Sequence, residues 1–228
     1  MMLKPSILAA VVACLTVLSV VPSTEAHVGL QSPCPRYGAF KGCPAPPSGQ
    51  AIDYDINSPI GTFDTISQPI CKHTVPQANR PVYTAGQTIK TSYSVGASHG
   101  GGHCQWALSY DGGKNWVVIK TLIRDCLKNI PSGGDYSVNV QIPNNAPSGK
   151  ATFMWLWNNA VGNRELYSNC ADIEIKGTDG GKLTGDSPLI ANYGKDSFYI
   201  GEFPNASDND GSAQFSMRKA ITVAVPKN

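Results

Sequence analysis

The chain carries little charge. Only 15% of its residues are Asp, Glu, Lys or Arg, and the formal net charge is +2 with no run of one sign. A nucleic-acid-binding surface therefore has no electrostatic footprint. No CxxC pair occurs, which argues against the common zinc frameworks. After residue 22 no stretch is apolar enough to span a bilayer. No segment shows the periodicity of an amphipathic helix. No close pair of carboxylates suggests a glycosidase-type hydrolase. No break in composition marks a second domain.

What is present begins with an export signal. Lys4 gives a positive start, Ile7 to Val21 form an apolar run shorter than a membrane span, and Thr24-Glu25-Ala26 has the small-x-small character of a cleavage site. The expectation is a signal peptide over 1–26 and a secreted, extracellular, soluble, monomeric product over 27–228, a single domain beginning with His27. Cys14 leaves with the signal. Cys34, Cys43, Cys71, Cys104, Cys126 and Cys170 remain. An even number in an exported chain implies disulfides, although spacing alone leaves their connectivity open. Cys34 and Cys43 look like the ends of a small closed loop that would hold the N-terminus still.

Residues 27–87 are rich in Pro, Gly and Ser. From residue 88 the pattern is β. Strands are predicted over Thr88–Val95, around Cys104 to Tyr110, over Trp116–Ile123, over Tyr136–Ile142, along Ala151, Phe153, Trp155 and Trp157, and over Leu166–Lys176. Cys104, Trp106, Leu108 and Tyr110 alternate with Gln105, Ala107 and Ser109, the signature of a half-buried strand. Residues 177–228 read as a loop-rich wrap. The expected fold is all-β, an antiparallel immunoglobulin- or fibronectin-III-like sandwich with long loops and disulfides. Asn205-Ala206-Ser207 is an N-glycosylation sequon and so is expected at the surface.

Four histidines are available: His27, His73, His99 and His103. Two stand in a glycine-rich loop between predicted strands, Ala97-Ser98-His99-Gly100-Gly101-Gly102-His103. A third segment, Gly162-Asn163-Arg164-Glu165-Leu166-Tyr167-Ser168-Asn169-Cys170, puts Glu165, Tyr167 and Asn169 on one face if extended. A mature His27 offers both an α-amino group and an imidazole. One imidazole from the loop would make three nitrogen donors, a set that suits Cu(II). Tyr167 could sit axially, with an open position for dioxygen or peroxide.

These segments resemble the lytic polysaccharide monooxygenases, secreted copper enzymes with a histidine brace. The loop and the Glu165–Cys170 segment are similar to the fungal chitin-active type, as are Leu183-Thr184-Gly185 and Glu202-Phe203-Pro204-Asn205 near the C-terminus. The N-terminal stretch His27-Val28-Gly29-Leu30-Gln31-Ser32-Pro33-Cys34 looks more like an oomycete-type family that cleaves homogalacturonan, the pectin backbone. The resemblance implies His27 and His99 as copper ligands, Tyr167 as axial ligand, Ala97 beside the axial position, and Glu165 as the acid that addresses a bound oxygen species. It implies that His103 is a supporting or surface residue, competition with His99 being the alternative. It also suggests disulfides Cys71–Cys170 and Cys104–Cys126, leaving Cys34–Cys43. The expected activity is oxidative cleavage of pectic homogalacturonan, with one copper ion, an external reductant, and dioxygen or hydrogen peroxide. Arg36, Lys41, Lys72 and Arg80 are candidates to meet a polyanionic substrate. The alternatives are a chitin- or cellulose-active enzyme, or a secreted copper-binding protein without activity.

Overall fold

A computed structural model describes residues 27–205 and 209–226. The signal peptide expected over 1–26 and two of the three sequon residues lie outside the described residues; Asn205 itself is exposed. Eleven strands follow in order: β1 His27–Ser32, β2 Gly61–Thr62, β3 Val82–Thr84, β4 Thr88–Ala97, β5 Gly102–Ser109, β6 Val117–Cys126, β7 Tyr136–Gln141, β8 Gly149–Asn159, β9 Glu165–Lys176, β10 Lys182–Asp186 and β11 Ala220–Ala224. A 3-10 turn over Ser212–Met217 precedes β11.

Two sheets face each other. One has the order β1-β4-β7; the other runs β2-β9-β8-β5-β6, with β3 added in parallel to β9. Every other pairing is antiparallel. Alternation along the strands sends Val28 and Leu30 of β1, Tyr93 and Val95 of β4, and Val138 and Val140 of β7 inward. They meet Trp106, Phe153, Trp155, Trp157, Tyr167 and Ile173 from the larger sheet. This is the expected immunoglobulin-like sandwich.

The larger sheet differs from expectation on its other face. All eight residues of β5 are buried, not every second one. Long loops and the C-terminal wrap cover that face: Ala107, Met154, Leu156 and Leu166 pack with Ile60 and Trp116, and Ala160 with Leu189, Ile200, Phe203 and Phe215. Gln105, on a position that alternation assigns to solvent, exchanges two hydrogen bonds with the backbone of Leu189, at 2.8 and 2.9 Å. The wrap is also less irregular than expected, since β10 and β11 form a hairpin within it.

The three suspected disulfides are present: Cys34–Cys43, Cys71–Cys170 and Cys104–Cys126. Among the described residues no helix is long and apolar enough to cross a membrane.

Candidate metal centre

His27, the residue expected to begin the mature chain, is the first residue of strand β1. β1 pairs with β4 so that His27 stands opposite Ala97, two residues before His99. Two further contacts hold β1. The Val28 N–H donates to Asn57 O at 3.1 Å. The Leu30 N–H donates to Asn169 Oδ1 at 2.7 Å, while Asn169 Nδ2 donates to Ile56 O at 3.0 Å. Asn169 therefore shares the strand predicted for Glu165 and Tyr167 but works as a tie, fastening β1 to β9. β1 thus runs beside β9, the strand that carries Glu165 and Tyr167.

The glycine-rich loop turns sharply. His99 has φ 45° and is followed by Gly100, Gly101 and Gly102 at 70°, 99° and 152°. A non-glycine residue in the left-handed region costs about 1–2 kcal/mol; here that conformation carries the ring onto the turn after β8. His99 Nδ1 lies 2.7 Å from Val161 O. A carbonyl can only accept, so Nδ1 carries the proton and Nε2 holds a lone pair. That Nε2 is buried with no hydrogen-bond partner. A neutral imidazole with one nitrogen tied to a carbonyl and the other open is the usual state of a metal-ligating histidine.

Two glycines leave room for these rings. A Cβ on Gly162 would come within 2.6 Å of His99 Nδ1, and one on Gly96 within 3.0 Å of the His27 Cβ. The Gly162 N–H donates to Glu202 Oε1 at 2.6 Å. Arg164, whose burial pulls its pKa down, donates to Gly162 O, Asn159 O and Gly201 O. These turn contacts escape sequence reasoning, because a glycine required by its neighbour's ring looks like any other loop glycine.

Glu165 and Tyr167 are adjacent on one face of β9, as expected: Tyr167 OH donates to Glu165 Oε2 at 2.7 Å, and both are buried. Tyr167 pairs across the sheet with Trp157. Ala97 is half-buried opposite His27.

Other candidates are displaced from the site. His103 is neither at the surface nor open to a metal. It is 1% exposed, its Nε2 donates to Asp210 O at 2.6 Å, and its Nδ1 accepts from the Arg124 N–H at 3.0 Å. It stacks on Phe203. Burial, followed by the charge of Arg124, pushes its pKa down to about 4. His73 is paired with Asp53 at 2.8 Å. Of the four basic residues expected to meet a polyanion, Arg36 is buried on Asp172 at 2.7 Å and Arg80 lies 3.5 Å from the same carboxylate. Asp172 is seven residues along β9 from Glu165, about 23 Å at strand rise. Lys72 is buried and donates to Asp55 O and Ser58 Oγ. Lys41 is exposed in the Cys34–Cys43 loop. Among the described residues no three His, Cys, Asp or Glu side chains gather as a metal cluster. A set of two imidazoles and a terminal amine needs only two such side chains.

No family model matches the chain. It is similar to AA11 family lytic polysaccharide monooxygenase A of Aspergillus fumigatus, with 39% identity over 178 residues that cover 74% of this chain and 75% of that protein. It is also similar to the AA11 monooxygenase B of Aspergillus fumigatus, with 30% identity over 67% of this chain and 37% of that protein. An AA11 monooxygenase of Aspergillus oryzae is 37% identical over 41% of this chain and 25% of that protein. The chain thus spans well under half the length of the last two. A cellulose-active polysaccharide monooxygenase from M. thermophila is 18% identical in sequence, with a TM-score of 0.45, over 58% of this chain and 70% of that one. These Aspergillus relatives support the fungal resemblance of the two loops and not the oomycete, pectin-cleaving one suggested by the N-terminal stretch.

Proposed function

The chain belongs to the AA11 family of lytic polysaccharide monooxygenases, which are oxidoreductases, and from that premise we propose that it is secreted, trimmed to begin at His27, and used to cleave chitin oxidatively. The observation that carries the reading is His99, with Nδ1 tied to Val161 O and a buried, unpartnered Nε2. With the amine and ring of a mature His27 it would make three nitrogen donors, and Tyr167, bonded to Glu165, would be the phenol that joins the ligand set. Nitrogen donors without sulfur suit Cu(II), and all six cysteines of 27–228 are engaged in disulfides. Copper held there supplies one-electron chemistry toward dioxygen or peroxide, with electrons from an external reductant.

The chain's own groups prepare that chemistry. Val161 O fixes the His99 tautomer. The α-amino group of a mature His27, with a reference pKa near 7.7–8.0, gives up its proton at modest cost. Glu165 accepts the hydrogen bond of the Tyr167 hydroxyl, which fixes the carboxylate beside the phenol.

Charge favours a neutral polysaccharide. Of the four cations expected to face pectin, Arg36 and Arg80 are engaged by Asp172 and Lys72 by Asp55 O and Ser58 Oγ, which leaves Lys41 exposed in the Cys34–Cys43 loop. Beside the glycine-rich loop Arg124 pairs with Asp210 and Lys128 with Asp125. Three disulfides suit an oxidising, extracellular setting.

The test is mass spectrometry of chitin, cellulose and homogalacturonan digested with copper and ascorbate. Oxidised chitooligosaccharides are expected. Oxidised oligogalacturonides alone would replace chitin by pectin, and tight copper binding without any cleavage would leave a copper-binding protein. A version with one extra residue before His27 is expected to lose tight copper binding; if it binds equally well, the brace is wrong.

A further inference from the structure

Strand β8 ends on a buried asparagine. Phe153, Trp155 and Trp157 alternate into the core, and Asn159 takes the next position on the same face. It is 0% exposed. A buried carboxamide destabilises unless its hydrogen bonds are met. Here they are met. Asn159 Nδ2 donates to Val161 O at 2.9 Å and to Asn163 O at 2.7 Å. Its Oδ1 accepts from the Glu165 N–H at 3.3 Å. These partners settle which way the amide points, since a flipped amide would set its oxygen against two carbonyls and its nitrogen against an N–H.

Each partner leads to a candidate site residue. Val161 O is the carbonyl that holds His99 Nδ1, and the Val161 N–H donates to His99 O at 3.0 Å. Where Val161 sits, His99 sits. Asn163 reaches Glu165 Oε1 with its Nδ2 at 3.4 Å, while Tyr167 OH holds Oε2. One side chain thus stands between the ring expected to bind copper and the carboxylate of β9. The neighbouring Asn158 is equally buried, at 1% exposure, but works differently. Its Nδ2 donates to Ala191 O at 2.8 Å and to Glu165 O at 3.4 Å. Those bonds tie β8 to the wrap and to β9, and not to Val161 or Asn163.

We propose that Asn159 is a positioning residue that sets His99 and Glu165 together, so that one amide fixes both the tautomer of the ring and the place of the carboxylate. Its value to a metal rests on the copper reading above; the linkage itself needs no metal. Val161 O has two lone pairs, and the two donors, His99 Nδ1 and Asn159 Nδ2, use both. Without the Asn159 donor, Val161 O and Asn163 O lose their common tie, and the carbonyl loosens from the ring. The neutral imidazole can then give the Nδ1 proton to water and take one at Nε2. In that form Nε2 has no lone pair for a metal. Glu165 loses the partner of its N–H and the tether through Asn163 in the same event.

The test starts from the mature, metal-free protein, isotope-labelled for nuclear magnetic resonance. Ring nitrogen shifts report which nitrogen of His99 carries the proton, and the side-chain carboxyl shift reports the surroundings of Glu165. The unaltered protein is expected to keep the proton on Nδ1. Asn159→Ala is expected to raise the Nε2–H form and to move the Glu165 signal in the same sample. Asn159→Asp keeps the shape and the acceptor for the Glu165 N–H but has at most one proton for two carbonyls; it is expected to change His99 in the same direction. Asn163→Ala is expected to move the Glu165 signal alone. Asn158→Ala is expected to lose stability in urea and to leave the His99 proton in place. On titration with Cu(II), the Asn159 variants are expected to bind about three- to tenfold more weakly than Asn158→Ala, the measure of one lost hydrogen bond. If His99 keeps its Nδ1 proton in the Asn159 variants that fold, or Glu165 does not move in Asn159→Ala, the linkage is overturned. If neither variant folds, Asn159 holds the fold rather than the site, and the proposal falls. A protein that shows the linkage but binds no copper leaves the linkage standing and overturns the copper reading instead.

Discussion

The sharpest consequence of the site geometry concerns Gly162. Its φ is 92°, and a Cβ there would stand 2.6 Å from His99 Nδ1. Gly162→Ala therefore does two things. The left-handed backbone costs about 1–2 kcal/mol of stability. The new methyl also pushes the imidazole off Val161 O, and a lost hydrogen bond of this kind is worth about 1–1.5 kcal/mol. In the copper-free protein the ring relieves the clash by swinging away, so the second cost falls on metal binding. Copper affinity is expected to drop about tenfold, since 1.4 kcal/mol is a factor of ten. Gly42→Ala is the control: Gly42 has φ 88° with nothing within 4 Å of its Cβ position. It is expected to lose comparable stability and no affinity. Isothermal titration with Cu(II), beside urea unfolding of both variants, separates the two effects. If Gly162→Ala binds copper as tightly as Gly42→Ala does, His99 is not a ligand held in the position described.

His103 predicts an acid limb of stability. Its folded pKa, about 4, lies below the ordinary 6.5, so the unfolded chain binds the extra proton between those values. The contribution is complete above about pH 6.5 and is lost as pH falls to about 4, roughly 3 kcal/mol at most. Urea midpoints of metal-free protein across that range are expected to flatten in His103→Gln; an unchanged slope would refute the assignment. Asn169→Ala strands the Leu30 N–H and Ile56 O together and is expected to cost about 2–4 kcal/mol in urea unfolding, with copper affinity falling as β1 loosens. Arg36→Ala leaves Asp172 buried with Arg80 as its remaining cation, and is expected to destabilise by about 3–5 kcal/mol without changing the preference among polysaccharides in product assays. A selective loss of pectin cleavage would restore Arg36 as a substrate contact.

Much of the sheet was legible because its signals are local. The alternation over β4 to β9 gave six strands within a few residues of their bounds, and the spacing of Glu165 and Tyr167 gave their shared face, on which the structure adds a hydrogen bond. What escaped depends on partners far along the chain. β1 has only the residues His27–Ser32, with a glycine and three polar side chains; it is a strand because β4 lies beside it. β5 looked half-exposed because its cover comes from Leu189 and the wrap. His103 looked like a loop histidine because Asp210 and Phe203 stand about a hundred positions later. Arg36 looked like a surface cation because Asp172 is 136 positions away. Charge and polarity are visible in a sequence, but the group that neutralises them is not.

The pairing of β1 with β4 has a temporal side. These strands are neighbours in space, yet the whole excursion from Pro33 to Gln87 lies between them. Contacts of such high sequence separation close late, after the local hairpins of the larger sheet, because the chain entropy of the loop must be lost first. His27 and His99 therefore meet near the end of folding. A chain still unfinished carries no assembled nitrogen set with which to hold a redox metal, so the capacity to generate an oxidant matures only with the completed fold. In refolding experiments, copper binding is expected to lag behind the burial of the tryptophans.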